Sequence, residues 1–354
     1  MSKIDKFLIK KKASVKEAMK QINQVGEKVL FVVDEKGKLL GSLTDGDIRR
    51  WILNEGSLEK EIDGIYYKKP IFVSKDYADE EVKGLMLENK IEWIPVVKAN
   101  REITDVLLWE DVFGDGILAP RGKLDIPIVI MAGGKGTRLD PFTRILPKPL
   151  IPIGDKAIID IIMERFSRHG VNEYFVSINH KAKMIRSYFE EMATKYIIHY
   201  IEEEEPLGTA GSLKFLKHRI NNSVMVSNCD TIIDCDYSEI VKFHNKNNYQ
   251  ISIVGSMKHF TIPYGICEIE NGGVLRNLTE KPEYDYLVNT GMYILTKDTL
   301  DLIPEKQQYH VTDLIKTVKS NGGRIGVFPI SEKSWIDIGQ WDEYRKSLKS
   351  LGFE

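Results

Sequence analysis

The sequence predicts a two-part α/β protein, in which a Rossmann-like, mostly parallel sheet covered by helices follows a smaller α+β unit. Three observations support this prediction. An apolar segment recurs in the first third of the chain, a stretch rich in Gly and Pro follows it, and strand-length apolar runs then alternate with helix-period segments. The length of 354 residues also exceeds what one hydrophobic core usually serves.

The first third of the chain is a duplicated unit. The segment "KVLFVVDEKGKLLGSLTDGDI" begins at Lys28, and "EWIPVVKANREITDVLLWEDV" begins 64 residues later at Glu92. In both copies a helix-period stretch precedes an apolar strand, a turn, a second strand and the start of a helix. We place the copies at about residues 1–62 and 63–120, and we expect them to bury their apolar faces against each other.

The remainder of the chain has the pattern of a helix-covered sheet. Residues 121–126 are the expected linker, and residues 127–354 are the expected second domain. Short apolar strands alternate there with helix-period segments such as 158–169 and 183–191. This alternation is typical of parallel strands joined by helices.

The bulk composition argues against several classes of partner. A net charge of −2 provides no basic field for nucleic acid, and no apolar run approaches the ~18 residues of a membrane span. Cys229, Cys235 and Cys267 have no metal-ligand spacing, and the seven histidines form no zinc motif. We therefore expect a cytoplasmic protein with reduced thiols and without nucleic-acid or membrane partners.

A glycine-rich turn follows the first strand of the second domain, in "IPIVIMAGGKGTRL". It departs from the Walker A motif because Lys135 is followed by Gly136, and from the dinucleotide fingerprint because Leu139 replaces the third glycine. Backbone N–H groups in such a turn suit anionic oxygens. Arg138 can add a forked phosphate contact, and Lys148 lies between two prolines that stiffen its backbone. The stretch therefore predicts a phosphate site.

The longer segment "MAGGKGTRLDPFTRILPKPLIPIG" resembles the signature of the sugar-1-phosphate nucleotidylyltransferases. Six further motifs follow in the order of that family: "EEPLGTAGSL", "VSNCDT", "YGICEI", "LTEKP", "VNTGMYI" and "WIDIG". The resemblance implies a GT-A-like domain. It also implies a reaction in which a sugar-1-phosphate oxygen attacks the α-phosphorus of a nucleoside triphosphate and pyrophosphate leaves.

The resemblance implies a role for each matching residue. The nucleotide would be bound by Ala132, Gly133, Gly134, Gly136, Thr137, Gly208 and Thr209. Among the catalytic residues, Arg138 would hold the β- and γ-phosphates and Lys148 would neutralise the α-phosphate. Asp230 and Asp337 would hold Mg²⁺, the implied cofactor. The sugar phosphate would lie against Gly265, Glu280, Lys281 and Asn289.

Four consecutive acids, Glu202–Glu205, precede the "PLGTAGS" segment that contacts the base in this family. Glu203 or Glu204 is the expected contact. A carboxylate favours the two adjacent donors of guanine, whereas the mixed edge of uracil or thymine suits an amide. We therefore expect GTP, with UTP or dTTP as alternatives. A solvated acidic face is the competing interpretation of this run.

The duplicated unit resembles a CBS-domain pair, a regulatory fold that commonly binds adenine or guanine nucleotides. The ligand motif of that family is present in the first copy as Gly41, Thr44 and Asp47. The second copy keeps only the aspartate, as Asp111. The resemblance implies either a regulatory nucleotide, with ribose at the aspartates and phosphate at Thr44, or a dimerisation platform without ligand. A homo-oligomer, dimeric through these units, is the expectation.

The combination of both parts resembles guanylyltransferases of bacterial nonulosonic-acid pathways, such as that of legionaminic acid. It implies glucosamine-1-phosphate as the sugar, with mannose-1-phosphate as the alternative. A non-catalytic nucleotide-sensing protein is the competing class. The presence of Arg138, Lys148, Asp230, Lys281 and Asp337 favours the enzyme, since a protein without catalysis has no need of all five.

Overall fold

The structure, a computed structural model, describes residues 4–25, 27–54, 57–89, 91–113, 121–192, 195–341, 344–345 and 348. The expected end of the duplicated unit at residue 120 lies outside them. Residues 121–126 contain no helix or strand. The N–H groups of Arg121 and Leu124 donate to the carbonyls of Arg168 and His169, at 2.9 and 3.0 Å. The expected linker is therefore held against the second domain.

The duplicated unit contains the same elements twice. The first copy consists of β1 (Leu8–Lys10), α1 (Val15–Val25), β2 (Val29–Val33), β3 (Leu39–Thr44) and α2 (Asp45–Asn54). The second consists of β4 (Val73–Ser74), α3 (Asp79–Asn89), β5 (Trp93–Val97), β6 (Ile103–Leu108) and α4 (Trp109–Phe113). In each copy the middle strand pairs in parallel with the first strand and antiparallel with the last.

The two copies share an apolar core between their sheets. Phe7, Val29 and Phe31 of the first copy pack with Val97 and Val106 of the second, and each of the five is at most 3% exposed. A side chain of this size contributes about 1.5–3 kcal/mol when fully buried. Each sheet therefore covers the apolar face of the other.

The second domain combines a large sheet, three small strand pairs and helices. Its strands are β7 (Ile128–Met131), β8 (Pro152–Ile153), β9 (Lys156–Ala157), β10 (Glu173–Ile178), β11 (Ile197–Glu202), β12 (Ser223–Asn228), β13 (Thr231–Ile233), β14 (Ile251–Thr261), β15 (Ile266–Ile269), β16 (Leu275–Thr279), β17 (Glu283–Thr296), β18 (Ile325–Ile330) and β19 (Trp335–Asp337). Its helices are α5 (Phe142–Ile145), α6 (Ile158–Ser167), α7 (Ala182–Glu191), α8 (Tyr237–Lys246), α9 (Lys297–Asp301) and α10 (Val311–Ser320). None of the helices in the described part of the chain combines the length and apolarity that a bilayer crossing requires.

The large sheet has the strand order β11-β10-β7-β12-β17-β14-β18. All neighbouring pairs are parallel except the two that involve β17, so the predicted mostly parallel α/β class is confirmed. Strand β7 shows how the residue pattern of a single strand indicates this fold class. Ile128 and Ile130 face one apolar core and Val129 and Met131 face the other, so the strand is buried on both sides and reads as a continuous apolar run.

Strands β14 and β17 extend beyond the sheet as a two-stranded arm. They pair from Ile251 and Leu295 to Thr261 and Glu283, whereas β18 pairs only with residues 251–256 of β14. Strand β12 likewise pairs only with the carboxyl end of β17. We call residues 257–261 and 283–291, together with the hairpin β15–β16, the arm. Because β14 is parallel to the central strands, the arm projects from the edge at which those strands end.

Candidate functional site

A cavity of about 520 Å³ lies at the carboxyl ends of β7 and β12. These strands are neighbours, with Met131 opposite Asn228, so the loops that follow them face each other. Ligands of open α/β sheets bind at such an edge. The cavity is lined by Met131, Gly133, Gly134, Lys135, Gly136, Thr137, Arg138, Lys148, Glu203, Pro206, Gly208, Thr209, Asn228, Cys229, Asp230, Gln308 and His310.

The glycine-rich loop is shaped by contacts that exclude larger residues. Gly136 has a φ of +67°, and a Cβ atom there would lie 2.9 Å from Thr143 and 3.0 Å from the Cβ of Lys148. The loop can therefore approach Lys148 closely only because it has a glycine at this position. Ala132, which was predicted to bind the nucleotide, is buried, its N–H donates to the carbonyl of Ser177 at 2.9 Å, and it is not among the residues that line the cavity.

Lys148 presents a buried ammonium group to the cavity. The residue follows Pro147 at the start of a short 3-10 turn and is only 7% exposed. Its Nζ donates a hydrogen bond to Oδ2 of Asp230. The predicted lysine and the predicted carboxylate are thus direct partners, although 82 residues separate them.

Asp230 and Asp337 come together through a small strand pair. Strands β13 and β19 are antiparallel with Thr231 opposite Asp337, and Ile338 N donates to the carbonyl of Asp230 at 2.9 Å. A Cβ on Gly339 would lie 2.8 Å from Oδ1 of Asp337, 3.4 Å from Oδ2 of Asp230 and 3.6 Å from the guanidinium of Arg138. Burial, together with the charge of Asp230, raises the pKa of the Asp337 carboxyl.

The donor set fits a magnesium ion held partly by substrate. No group of three or more His, Cys, Asp or Glu side chains is arranged for a metal within the residues that the structure describes. Asp230 lines the cavity, and Asp337, which is not a lining residue, presents a second hard carboxylate next to it across Gly339. Mg²⁺ is commonly bound by one or two carboxylates, with phosphate oxygens and waters completing its shell. Two carboxylates beside a phosphate-sized cavity meet that requirement.

Glu203 is built into the wall of the cavity and is 6% exposed. Its Oε1 accepts a hydrogen bond from the Ser177 hydroxyl, and its Oε2 accepts one from Leu207 N at 3.0 Å. A carboxylate has about four acceptor positions, so further donors can be accommodated. Glu204 differs, since it is exposed and lies outside the cavity lining.

The segment before α10 supports the predicted base loop. A Cβ on Gly208, whose φ is +78°, would lie 2.7 Å from the Tyr309 carbonyl and 3.1 Å from Nδ1 of His310. Thr209 Oγ1 accepts a hydrogen bond from Val311 N at 3.0 Å. Gly208 and Thr209 are therefore fixed against a distant part of the chain.

Gln308 and His310 line the cavity beside this loop but were not predicted from the sequence. Their only sequence signal is a polar stretch, "KQQYH", directly before a helix. Nothing in that stretch specifies which loop it meets. Asn228 was also missed, although it ends β12 two residues before Asp230.

Of the predicted sugar residues, Asn289 lies on the arm, and Gly265, Glu280 and Lys281 lie next to its hairpin. A Cβ on Gly265 would be 2.8 Å from Oε2 of Glu280, so these two residues are adjacent where the chain enters and leaves the hairpin β15–β16. Lys281 is exposed and has a φ of +43°. Asn289 Nδ2 donates to the Tyr293 hydroxyl at 2.8 Å. None of these four residues is among those that line the 520 Å³ cavity in the described part of the chain.

Contact between the arm and the cavity runs through Gly291. A Cβ at this position, where φ is +88°, would lie 2.4 Å from Nδ2 of Asn228 and 3.2 Å from Oγ1 of Thr231. Asn289 is two residues away, and its Oδ1 accepts a hydrogen bond from Gly291 N at 3.1 Å. The arm is therefore anchored on the strand end that carries Asp230.

The ligand motif of the duplicated unit forms the first turn of α2. Thr44 N and Oγ1 both donate to Oδ2 of Asp47, at 2.8 and 2.7 Å, and Asp47 N donates back to Thr44 Oγ1 at 3.2 Å. This reciprocal arrangement caps the helix. Gly41 lies beneath Tyr66, because a Cβ there would be 2.3 Å from the ring. Asp111 makes the equivalent cap in the second copy, accepting from Leu108 N at 3.0 Å.

Two families match different parts of the chain. Residues 128–352 match the family described as Nucleotidyl transferase, and residues 1–54 match the CBS domain. These matches confirm the predicted resemblances of the second domain and of the first copy.

Curated relatives fall in the same class. The chain is 28% identical over 218 residues to the D-glycero-alpha-D-manno-heptose 1-phosphate guanylyltransferase of Campylobacter jejuni. The matched region covers 61% of this chain and 96% of that protein. It is 31% identical over 223 residues to the mannose-1-phosphate guanyltransferase of Yarrowia lipolytica, with 60% of each protein covered. Identity to the UTP–glucose-1-phosphate uridylyltransferase of Synechocystis is 27% over 244 residues, and the chain spans only 62% of that relative.

A solved structure resembles the second domain. The crystal structure of HddC from Yersinia pseudotuberculosis complexed with GMP-PN is similar to this chain with a TM-score of 0.51 and 26% identity. The similarity covers 64% of this chain and 99% of that one.

Proposed function

Because this chain belongs to the nucleotidyl transferase family, we propose that it is a sugar-1-phosphate guanylyltransferase. It converts GTP and a hexose-1-phosphate to a GDP-sugar and pyrophosphate. The observation that supports this proposal best is one cavity lined by the glycine-rich loop, Arg138, Lys148 and Asp230, with Asp337 next to Asp230 and Arg138 around Gly339. In the reaction a sugar-phosphate oxygen bonds to the α-phosphorus. The bond from that phosphorus to the bridging oxygen breaks, and pyrophosphate departs with the electron pair.

The chain's own residues supply positioning and charge. The attacking oxygen is already anionic, so the chemistry requires alignment and charge neutralisation rather than a strong base. The N–H groups of the loop hold the triphosphate, and Arg138 neutralises its β- and γ-phosphates. Lys148 is directed toward the α-phosphate from a stiff, proline-flanked turn. As a buried ammonium in a low-dielectric wall, it stabilises developing charge more than an exposed lysine would.

Mg²⁺ is the proposed cofactor, held by Asp230 and Asp337. When bound, it supplies additional positive charge to the phosphates. The two aspartates keep their relative placement through the β13–β19 pair. Lys148, bonded to Asp230, offsets part of the repulsion between the two carboxylates.

A covalent protein intermediate is not part of this proposal. The thiol in the cavity lining belongs to Cys229, and burial, together with the charge of Asp230, raises its pKa to about 12. At neutral pH the thiol is protonated and is a poor nucleophile. Direct transfer between the two substrates is therefore the simpler route.

Guanine selection is assigned to Glu203. Its buried carboxylate retains unused acceptor positions next to Gly133, where a Cβ would lie 3.3 Å from Oε1. Guanine offers two adjacent donors to such a group. The heptose and mannose relatives are guanylyl enzymes by name, and the similar HddC structure contains GMP-PN.

Glucosamine-1-phosphate is the proposed sugar substrate. Glu280 is an exposed carboxylate beside Gly265, and it can pair with a protonated amine on the sugar. Lys281, next in the chain, can pair with the sugar phosphate. Mannose-1-phosphate is the alternative, since a carboxylate also accepts hydrogen bonds from hydroxyl groups.

The test is a substrate panel with pyrophosphate release as the readout. Glucosamine-, mannose- and glucose-1-phosphate would each be combined with GTP, UTP, dTTP and ATP in the presence of Mg²⁺. The expected result is the highest kcat/KM for GTP with glucosamine-1-phosphate. Absence of turnover with every pair would refute the enzyme, and a different best pair would reassign only the base or the sugar.

Base selection is tested by replacing Glu203 with glutamine. Loss of a charged hydrogen bond to guanine is expected to reduce kcat/KM for GTP relative to UTP by about tenfold or more. The matched control is Glu204→Gln, one residue away and exposed, which should leave the GTP-to-UTP ratio unchanged. If the GTP-to-UTP ratio of kcat/KM is unchanged in Glu203→Gln, Glu203 is only a structural residue of the cavity wall and does not select the base.

A further inference from the structure

A cluster of charged side chains joins the duplicated unit to the second domain. We call it the interface cluster, and it consists of Lys28, Glu92, Arg121, Arg165, Arg168 and Asp234. Lys28 comes from the first copy and Glu92 from the second copy. The remaining residues belong to the linker and the second domain. Both copies of the unit are therefore connected through ion pairs to the region around Asp234 and Arg168 of the second domain.

Asp234 is the centre of this cluster. Lys28 Nζ lies 2.7 Å from Oδ2 of Asp234 and also donates to its backbone carbonyl at 2.5 Å. Arg168 and Arg165 lie 3.1 and 3.7 Å from Oδ1 of the same carboxylate. Glu92 holds Arg168 at 3.0 Å from the other side. Burial alone would raise the pKa of Asp234, but Lys28, Arg165 and Arg168 outweigh it and hold that pKa well below its ordinary value.

This carboxylate terminates the strand that begins directly after Asp230. Strand β13 covers residues 231–233, so Asp230 and Asp234 are its two flanking residues. Asp234 N donates to the carbonyl of Ser334 at 2.9 Å, and Ile338 N donates to the carbonyl of Asp230 at 2.9 Å. The β13–β19 ladder is therefore closed at one end by the interface cluster and at the other end by the two aspartates of the site.

Lys28 is itself fixed within the duplicated unit. Its carbonyl accepts a hydrogen bond from Asp45 N at 3.0 Å, in the first turn of α2. Its side chain is 19% exposed. Lys28 thus links the start of α2 in the first copy to the end of β13.

We propose that Lys28 is a positioning residue for the active site: by holding Asp234, it fixes the β13–β19 ladder and thereby the placement of Asp230 and Asp337. The duplicated unit contributes to catalysis through this contact without touching either substrate. The inference rests on the proposed function for the roles of the two aspartates. A two-stranded ladder of three residues per strand is weak alone, so anchoring one end limits its motion at the other.

The test compares Lys28→Met and Lys28→Gln with Lys28→Arg in the full chain. The matched control is Lys98→Met, since Lys98 is an exposed lysine of the same unit that pairs locally with Glu102 at 3.1 Å. Amide hydrogen exchange without substrates is measured over residues 231–234 and 335–338. The kcat, the KM for GTP and the Mg²⁺ concentration for half-maximal rate are measured in parallel. Using two charge-removing variants keeps the comparison available if one of them does not fold.

The expected result is faster exchange confined to the β13–β19 ladder in Lys28→Met and Lys28→Gln. A fall in kcat of about tenfold should accompany it, because small misplacements of a site carry large rate penalties. The KM for GTP should stay within about twofold, as the nucleotide cavity is untouched. Lys28→Arg should restore both readouts. Unchanged exchange in the ladder, or faster exchange spread evenly over the chain, would overturn the proposal.

The exchange readout separates this inference from the proposed function. If the wild-type chain releases no pyrophosphate from any substrate pair, the proposed function fails. The exchange comparison still decides whether Lys28 holds the ladder.

Discussion

Replacing Lys148 with methionine is expected to lower kcat for pyrophosphate release by about a hundredfold or more. The ammonium group is buried at the cavity wall and its Nζ bonds Asp230. Methionine retains the apolar stem and similar length, so the cavity keeps its shape and loses one positive charge. A hundredfold loss corresponds to about 2.7 kcal/mol of transition-state stabilisation.

The matched control for this change is Lys156→Met. Lys156 is eight residues further along the chain and pairs with Glu164 on the exposed surface at 2.8 Å, so its loss should not affect the rate. Lys156→Met should unfold within a few degrees of the wild type. The Mg²⁺ concentration for half-maximal rate should not rise in Lys148→Met, because Asp230 loses a competing cation. A Lys148→Met enzyme with kcat within about threefold of wild type would contradict the assigned role.

Replacing Asp230 with asparagine is expected to reduce turnover by at least about a hundredfold and to raise the Mg²⁺ concentration for half-maximal rate. The amide has nearly the same shape, and its oxygen can still accept the hydrogen bond from Lys148, so the fold should be retained. It is a neutral and weaker ligand for a hard cation. The rise in the Mg²⁺ concentration for half-maximal rate distinguishes this variant from Lys148→Met, in which no rise is expected.

The control for the aspartate is Glu239→Gln. Glu239 lies on α8 and pairs with Lys242 at 2.8 Å on the surface, so removal of its charge should leave rate and Mg²⁺ dependence unchanged. Titration of Mg²⁺ in the pyrophosphate assay provides the measurement. Asp230→Asn with the wild-type Mg²⁺ curve and rate would remove Asp230 from the metal site.

Local sequence patterns were sufficient for most of the fold. The duplication is visible because the same strand and helix signals recur 64 residues apart, and α1, β2 and β3 recur at that spacing as α3, β5 and β6. Strand β7 is predictable because burial on both faces requires a continuous apolar run. The antiparallel orientation of β17 was not predictable, because the residue pattern of a strand does not show whether it runs parallel or antiparallel to its neighbours.

The site was predictable where one motif holds its residues together. Gly136 and Lys148 belong to one continuous stretch, and the structure places them in contact. Gln308 and His310 were not predictable, because backbone contacts of Tyr309 with the distant segment 207–211 bring them to the cavity. The contact of Lys28 with Asp234 was missed for the same reason, as 206 residues separate them.

Under the proposed function, the arm and the glycine-rich loop bind different substrates and differ in how much substitution they tolerate. Residues 257–261 and 283–287 pair only with each other among the described strands, and Phe260, Tyr286 and Leu287 on them are 50%, 54% and 43% exposed. Substitution of these exposed residues should disturb little of the core. The glycine-rich loop, in contrast, packs closely against Lys148 at Gly136 and tolerates little change. The preference for the sugar phosphate can therefore diversify, in evolution or by grafting, while the glycine-rich loop that is proposed to bind the nucleotide stays constant. Under the proposed function, the two substrates are thus recognised by parts of the fold that differ in their tolerance to substitution.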